Sequence, residues 1–273
     1  MAQGSGIEWT EATWNPTVGC TKVSPGCDHC YAERVTQRFA HAFPNGFNLT
    51  LRPELLDIPL RWRQPKLIFV NSMSDLFHTE VPDSFIASVF DVMSRCPQHT
   101  FQVLTKRAER LARLSSRLPW PNNVWMGVSV ESRAFQWRID YLRHVPATIR
   151  FISAEPLLGS LADIDLTGIQ WLIAGGESQP GCRRAELDWF RELRDVCKSA
   201  HVNYFLKQLG GHPSKRGGNE ARLDGRTWRQ WPIKTANDAP QDQLPQSSER
   251  TPSPGHASRR ARSGIAERSG CSS

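Results

Sequence analysis

The chain has 273 residues and a mass of 30.9 kDa, which is length for one large domain or two small ones. Its 39% hydrophobic and 22% charged residues are ordinary globular usage, so most of the chain is expected to bury a core. No apolar run approaches the roughly 18–20 residues of a membrane span, and Met1–Glu8 has neither a basic nor an apolar signal region. A cytoplasmic protein with no membrane partner is therefore expected. The formal charge of +7 permits a nucleic-acid partner without demanding one.

Seven cysteines and no export signal make a disulfide framework a poor explanation. Cys20, Cys27 and Cys30 instead cluster in one short stretch, with the spacing C-x6-C-x2-C. Soft thiolates grouped this way point to a metal, either an iron–sulfur cluster or zinc. Gly19 and Pro25-Gly26 supply turns that can fold the three ligands inward. A closed zinc site needs a fourth protein ligand, for which His29, His41, His78 and Cys182 are the candidates, Cys182 first.

Along the chain, a first strand is predicted near Thr13–Gly19, just before the cysteines. Short apolar runs of the kind buried on both faces follow at Leu67–Asn71, Thr100–Leu104, Val124–Val130, Thr148–Ser153, Trp171–Ala174 and Asn203–Leu206. Helical spacing lies between them. Asp83 is placed to cap a helix carrying Ile86, Val89, Phe90 and Met93, and Ser132 precedes one with Phe135, Ile139 and Leu142. Others carry Leu111 and Leu114, and Leu187, Phe190, Leu193 and Cys197. Strands alternating with helices predict a parallel α/β fold, a full or partial (β/α) TIM-like barrel over residues 1–234. The remainder, 235–273, is rich in Pro, Ser, Gln and Arg and is expected to be a disordered tail.

In such barrels chemistry gathers where strands end. The candidates there are Asn71, Ser72 and Asp75 after one run, Lys106 after the next, then Ser129, Glu155, Glu177 and Lys207. Charges abutting buried runs are costly unless paired or used, so a shared binding site is expected over mere loop polarity. Lys106 has Asp75 and Glu155 as predicted partners, and Glu155 and Glu177 can pair internally with Lys106 and Lys207. Trp9, Trp14, Trp62, Trp125 and Trp171 read as core, while Trp228 and Trp231 are placed to cover one end of the barrel. The Arg and Lys residues of 183–229 read as a solvated face in preference to a phosphate-binding rim.

The segments Asn15-Pro16, Gly19-Cys20, Cys27 and Cys30-Tyr31-Ala32 resemble the cluster loop of radical S-adenosylmethionine (SAM) proteins, in the branch that includes spore photoproduct lyase. With Ser72-Met73-Ser74-Asp75, Leu104-Thr105-Lys106-Arg107, Ser153-Ala154-Glu155-Pro156 and Gly175-Gly176-Glu177-Ser178, the chain is also similar to the phage gene-product 37/68 family. The resemblance implies a 4Fe-4S cluster on Cys20, Cys27 and Cys30, SAM on the strand-end residues, an electron donor, and an unidentified substrate. The usual spacing of radical SAM proteins is C-x3-C-x2-C with an aromatic residue before the last cysteine; here the first interval is six residues and His29 stands in that place.

Overall fold

Asn15-Pro16 divides the first predicted strand. The computed structural model, which describes residues 5–216 and 221–232, has β1 at Ala12–Thr13 and β2 at Thr17–Val18 instead of one run. Pro16 has no N–H for a ladder. Asn15 turns its Oδ1 to the backbone N–H groups of Ser72 (2.7 Å) and Met73 (3.1 Å). β1 then joins the main sheet, and β2 pairs antiparallel with β3, Thr50–Leu51.

The remaining strands are β4 (Leu67–Val70), β5 (Thr100–Thr105), β6 (Val124–Ser129), β7 (Ile149–Ala154), β8 (Trp171–Gly175) and β9 (Asn203–Gln208). Each lies within two residues of its predicted run. The sheet order is β1-β4-β5-β6-β7-β8-β9, parallel throughout. Strands that follow one another in chain order, without a reversal, form a singly wound sheet with one outer and one inner face. β1 and β9 stand at its two edges, so the barrel is partial. The expected tail, 235–273, lies outside the described residues.

Alternation along the strands separates two apolar layers. Ile68, Val70, Val103, Met126, Val128, Ile152, Leu172 and Leu206 belong to the outer layer, beneath the helices. Those helices are α2 (Asp83–Ser94), α3 (Ala108–Ser115), α4 (Trp137–Arg143) and α5 (Leu187–Ser199), numbered after α1 (Tyr31–Arg38) near the amino terminus. Asp83 is the first helical residue of α2 and not its cap, which is Pro82. Between β7 and β8 no helix stands among the described residues; Leu157, Leu161, Ile164, Leu166 and Ile169 fill that side of the core from a loop.

The inner layer is aromatic. Trp9, Phe69, Trp125, Phe151, Trp171 and Phe205 are all buried there. Trp9 meets Phe69 at 4.6 Å and Trp171 meets Phe151 at 5.6 Å, centroid to centroid. Gly127 leaves room for the Phe151 ring, since a Cβ on it would lie 2.5 Å from that ring. Trp231 covers Trp171, the first residue of β8, at 5.0 Å. The lumen is thus a packed plug, with space left above it at the strand C-termini. Of the tryptophans read as core, Trp9, Trp14, Trp125 and Trp171 are buried, and Trp62 packs against the core from a half-buried position. No described helix is long and apolar enough to cross a membrane.

Candidate functional site

A cavity of about 460 Å³ opens over the aromatic plug, with Trp9 and Phe69 in its wall. Cys20, Cys27 and Cys30 line it from one side. Asn71, Ser72, Asp75, Lys106 and Ser129 line it from the ends of β4, β5 and β6, and Glu155, Glu177 and Lys207 from β7, β8 and β9. The three cysteines and eight strand-end candidates therefore face one space, joined by His29, while His41, His78 and Cys182 are not in its lining. The cause is topological: parallel strands in sequence order send every following loop to the same end.

The cysteine loop is held by backbone contacts that only glycine permits. Gly19 has φ +86°, and a Cβ there would come within 2.2 Å of the Asn48 carbonyl oxygen. Its N–H donates to Met73 O at 3.0 Å, and Cys20 N–H donates to Phe47 O at 3.2 Å. Pro25–Cys27 forms one helical turn, and Cys30 caps α1. Burial pushes the Cys20 thiol up to about 11, with Asp75 adding and Arg107 opposing; burial raises Cys30 as well, and the neighbouring Cys27 adds to both.

The strand-end charges are paired, though not always as predicted. Lys106 reaches neither Asp75 nor Glu155 with its ammonium; Nζ lies 3.1 Å from Glu131 Oε1. Asp75 is already occupied, accepting from Thr105 Oγ1 (2.7 Å), Phe77 N–H (2.9 Å) and Lys106 N–H (3.0 Å). Glu131 is fully buried and also takes Arg138 Nη1 at 2.8 Å and the Ser24 hydroxyl at 2.5 Å. Burial alone would raise this carboxyl, but the charges of Lys106 and Arg138 hold it below the usual carboxylate range. Glu155 pairs with Lys207 Nζ at 3.0 Å, as expected, and Gly175 leaves room for its carboxylate.

Glu177 does not pair with Lys207. It accepts from His29 Nδ1 (2.8 Å), Arg183 Nη2 (2.5 Å) and Arg183 N–H (2.7 Å). Burial would raise its carboxyl, yet the Arg183 and His29 hydrogen bonds bring it down to about 2. Arg183 Nη2 also donates to Pro25 O at 2.8 Å, so this group clasps the β8–α5 loop onto the cysteine loop. Asn71 donates through Nδ2 to Thr17 Oγ1 at 2.7 Å, while its buried Oδ1 has no partner. Ser72 O accepts the Tyr31 hydroxyl. Ser129 is buried and gives its carbonyl to Arg138 Nη1 at 2.8 Å.

Three participants stand outside the chosen candidates: Glu131, Arg107 and Arg183. Glu131 stands two residues past β6 and Arg107 directly follows Lys106, so strand-end position in the sequence marks both for the same mouth. Arg183, expected in a solvated face, instead pairs with Glu177 across five intervening loop residues. Of the other basic residues, Arg191 and Arg194 are tied to Asp188, Asp195 and Asp224, as a solvated face requires.

The three cysteines suit an iron–sulfur cluster as a donor set. Bound thiol ligands must be deprotonated, and a cationic centre beside these half-buried thiols would favour that form. Among the described residues no group of three or more His, Cys, Asp and Glu converges to hold one metal ion. Of the candidate fourth zinc ligands, His78 has both ring nitrogens engaged, with Thr21 and with Glu80 N–H, whereas His29 bonds Glu177 through Nδ1 alone, as a metal-bound imidazole can. A closed zinc site needs four donors meeting at one ion; a cluster distributes its thiolates over separate irons.

Comparison with known proteins gives one family match. The model of a family described as a protein of unknown function, DUF5131, matches residues 4–232. No curated protein matches. Among solved structures, a spore photoproduct lyase variant with bound AdoMet and dinucleoside spore photoproduct is similar with a TM-score of 0.42 and 14% identity, over 68% of this chain and 60% of that one. A spore photoproduct lyase complexed with dinucleoside spore photoproduct has a TM-score of 0.40 and 13% identity, over 66% and 58%. The chain thus spans less than two thirds of the length of either structure.

Proposed function

The chain belongs to the DUF5131 family, and we propose that it is an iron–sulfur enzyme of the radical SAM type. Cys20, Cys27 and Cys30 hold a 4Fe-4S cluster, and the strand-end residues hold SAM. The observation that supports this most is the convergence of three thiols and the strand-end polar groups on one cavity above an aromatic floor. Cys20, Cys27 and Cys30 would hold the cluster beside the strand-end residues, where it would supply one-electron reductive chemistry toward SAM. The chain's own residues orient and exclude water. The unpartnered Oδ1 of Asn71 is an acceptor for a ligand amino or hydroxyl group, and the Glu155–Lys207 pair offers an acceptor and a donor to a ribose or a purine edge. Asp75 and Glu177, each already holding several protein donors, position the β5 end and the loop clasp.

The substrate class we propose is a nucleic acid or nucleotide, in keeping with the charge of +7. The motif likeness to the phage gene-product 37/68 family, a separate low-potential electron donor and a cytoplasmic location belong to the same proposal. Its test is anaerobic reconstitution with iron and sulfide, reduction with dithionite, and chromatography of added SAM. The reading predicts 5′-deoxyadenosine and methionine in equal amounts. SAM returned intact by protein that carries iron would overturn it.

A further inference from the structure

We infer that Arg107 sets the reduction potential of the centre held by the three cysteines; this rests on the cluster reading above. Arg107 leaves the end of β5 at the residue that caps α3, and its side chain is only 11% exposed. Nη2 donates to Thr21 Oγ1 (2.9 Å), Thr21 O (3.1 Å) and Cys20 Sγ (3.8 Å). The guanidinium is thereby fixed against the first cysteine by two contacts to the next residue.

What distinguishes this cation is the company it keeps. Lys106, Arg138, Lys207 and Arg183 each lie within hydrogen-bond distance of a carboxylate: Glu131 at 3.1 and 2.8 Å, Glu155 at 3.0 Å, Glu177 at 2.5 Å. The acid nearest Arg107 is Asp75, whose Oδ2 stands 3.9 Å from Nε, and Nε has no hydrogen-bond partner. Asp75 spends its lone pairs on Thr105, Phe77 and Lys106. Asp75 thus offsets part of the Arg107 charge from 3.9 Å, but it takes no hydrogen bond from the guanidinium, whose Nη2 is directed at Thr21 and a ligand sulfur.

Reduction adds one electron, drawn from a low-potential donor, to a centre already carrying three thiolates. A fixed cation and an N–H···S contact favour the reduced form, and both raise cluster potentials. At protein dielectrics a charge at this range outweighs an exposed one severalfold. Neutral Gln in its place removes the charge and, being shorter, draws its N–H donor back from Cys20 Sγ. Lys keeps the charge but lacks the planar fork that reaches Thr21 and Cys20 together.

The experiment compares reconstituted parent, Arg107→Gln and Arg107→Lys in dithionite redox titrations read by the paramagnetic signal of the reduced cluster, with iron counted in each. At the potential that half-reduces the parent, R107Q is expected to show a reduced-to-oxidised ratio at least tenfold lower, a shift of about 59 mV for one electron. R107K should fall between the two, at parent iron content. Unchanged ratios in iron-loaded variants would overturn the inference while leaving the cluster reading intact. Should R107Q lose its iron, R107K decides alone, and a ratio equal to the parent's would overturn the inference. Loss of iron from both variants would also overturn it, since Arg107 would then hold the loop and not tune it. A parent without iron would overturn the cluster reading and this inference with it.

Discussion

Glu131→Ala is expected to destabilise the fold by about 3–5 kcal/mol, because it strands a buried guanidinium. Glu131 is 0% and Arg138 is 1% exposed, so neither water nor another carboxylate replaces the lost partner in place. The two oxygens divide their work: Oε2 takes Arg138, and Oε1 takes Lys106 and the Ser24 hydroxyl. For a fold of this size the melting temperature should drop by roughly 6–20 °C. The magnitude comes from the unpaired cation and not from the value of the pair itself. Replacing both members, Glu131→Leu with Arg138→Met, should recover the part of the loss that Arg138 carries, since buried ion pairs seldom outperform apolar groups of similar volume, while Lys106, 18% exposed, stays without its carboxylate. Chemical denaturation of Glu131→Ala and the double variant checks this. A cost below about 1 kcal/mol for E131A, the range of exposed pairs, would mean that Glu131 does not anchor the two cations.

Gly19→Ala is expected to abolish iron binding by the proposed cluster site while sparing the barrel. The residue sits at φ +86°, where an L side chain costs about 1–2 kcal/mol, and its Cβ would approach the Asn48 carbonyl oxygen to 2.2 Å. Backbone cannot yield as a flexible side chain does, so the Phe47–Asn48 segment must move and Cys20 loses its 3.2 Å bond to Phe47 O. Iron per chain after reconstitution should fall at least severalfold, with far-ultraviolet circular dichroism unchanged. Gly46 provides the control. It also has positive φ, +58°, yet nothing lies within 4 Å of its would-be Cβ. Gly46→Ala should cost about 1–2 kcal/mol from backbone strain alone and retain the iron. Equal iron in G19A and the parent would show that the loop geometry around Gly19 does not govern the site.

The strands were legible because those of a singly wound sheet are buried on both faces and read as short unbroken apolar runs. The same topology made the site legible: once the strands are found, the residues after them share one end. What could not be read follows from weaker signals. Helix α1, Tyr31-Ala-Glu-Arg-Val-Thr-Gln-Arg38, buries only Ala32 and Thr36, so it has no apolar stripe to betray it. The break at Pro16 depends on Asn15 reaching Ser72 and Met73, residues far away in sequence. Partner choice was the least legible. Lys106 and Glu155 both stand at strand ends, yet Glu131 lies closer to the ammonium because Asp75 has turned to Thr105 and the backbone.

The cysteine cluster remains the claim on which the function rests. Its most direct measurement is the iron content of the reconstituted parent beside a Cys20→Ala, Cys27→Ala, Cys30→Ala variant whose fold is verified by circular dichroism. The account predicts about four irons per chain in the parent, the content of one cubane cluster, and essentially none in the variant. Equal iron in the two proteins would contradict it.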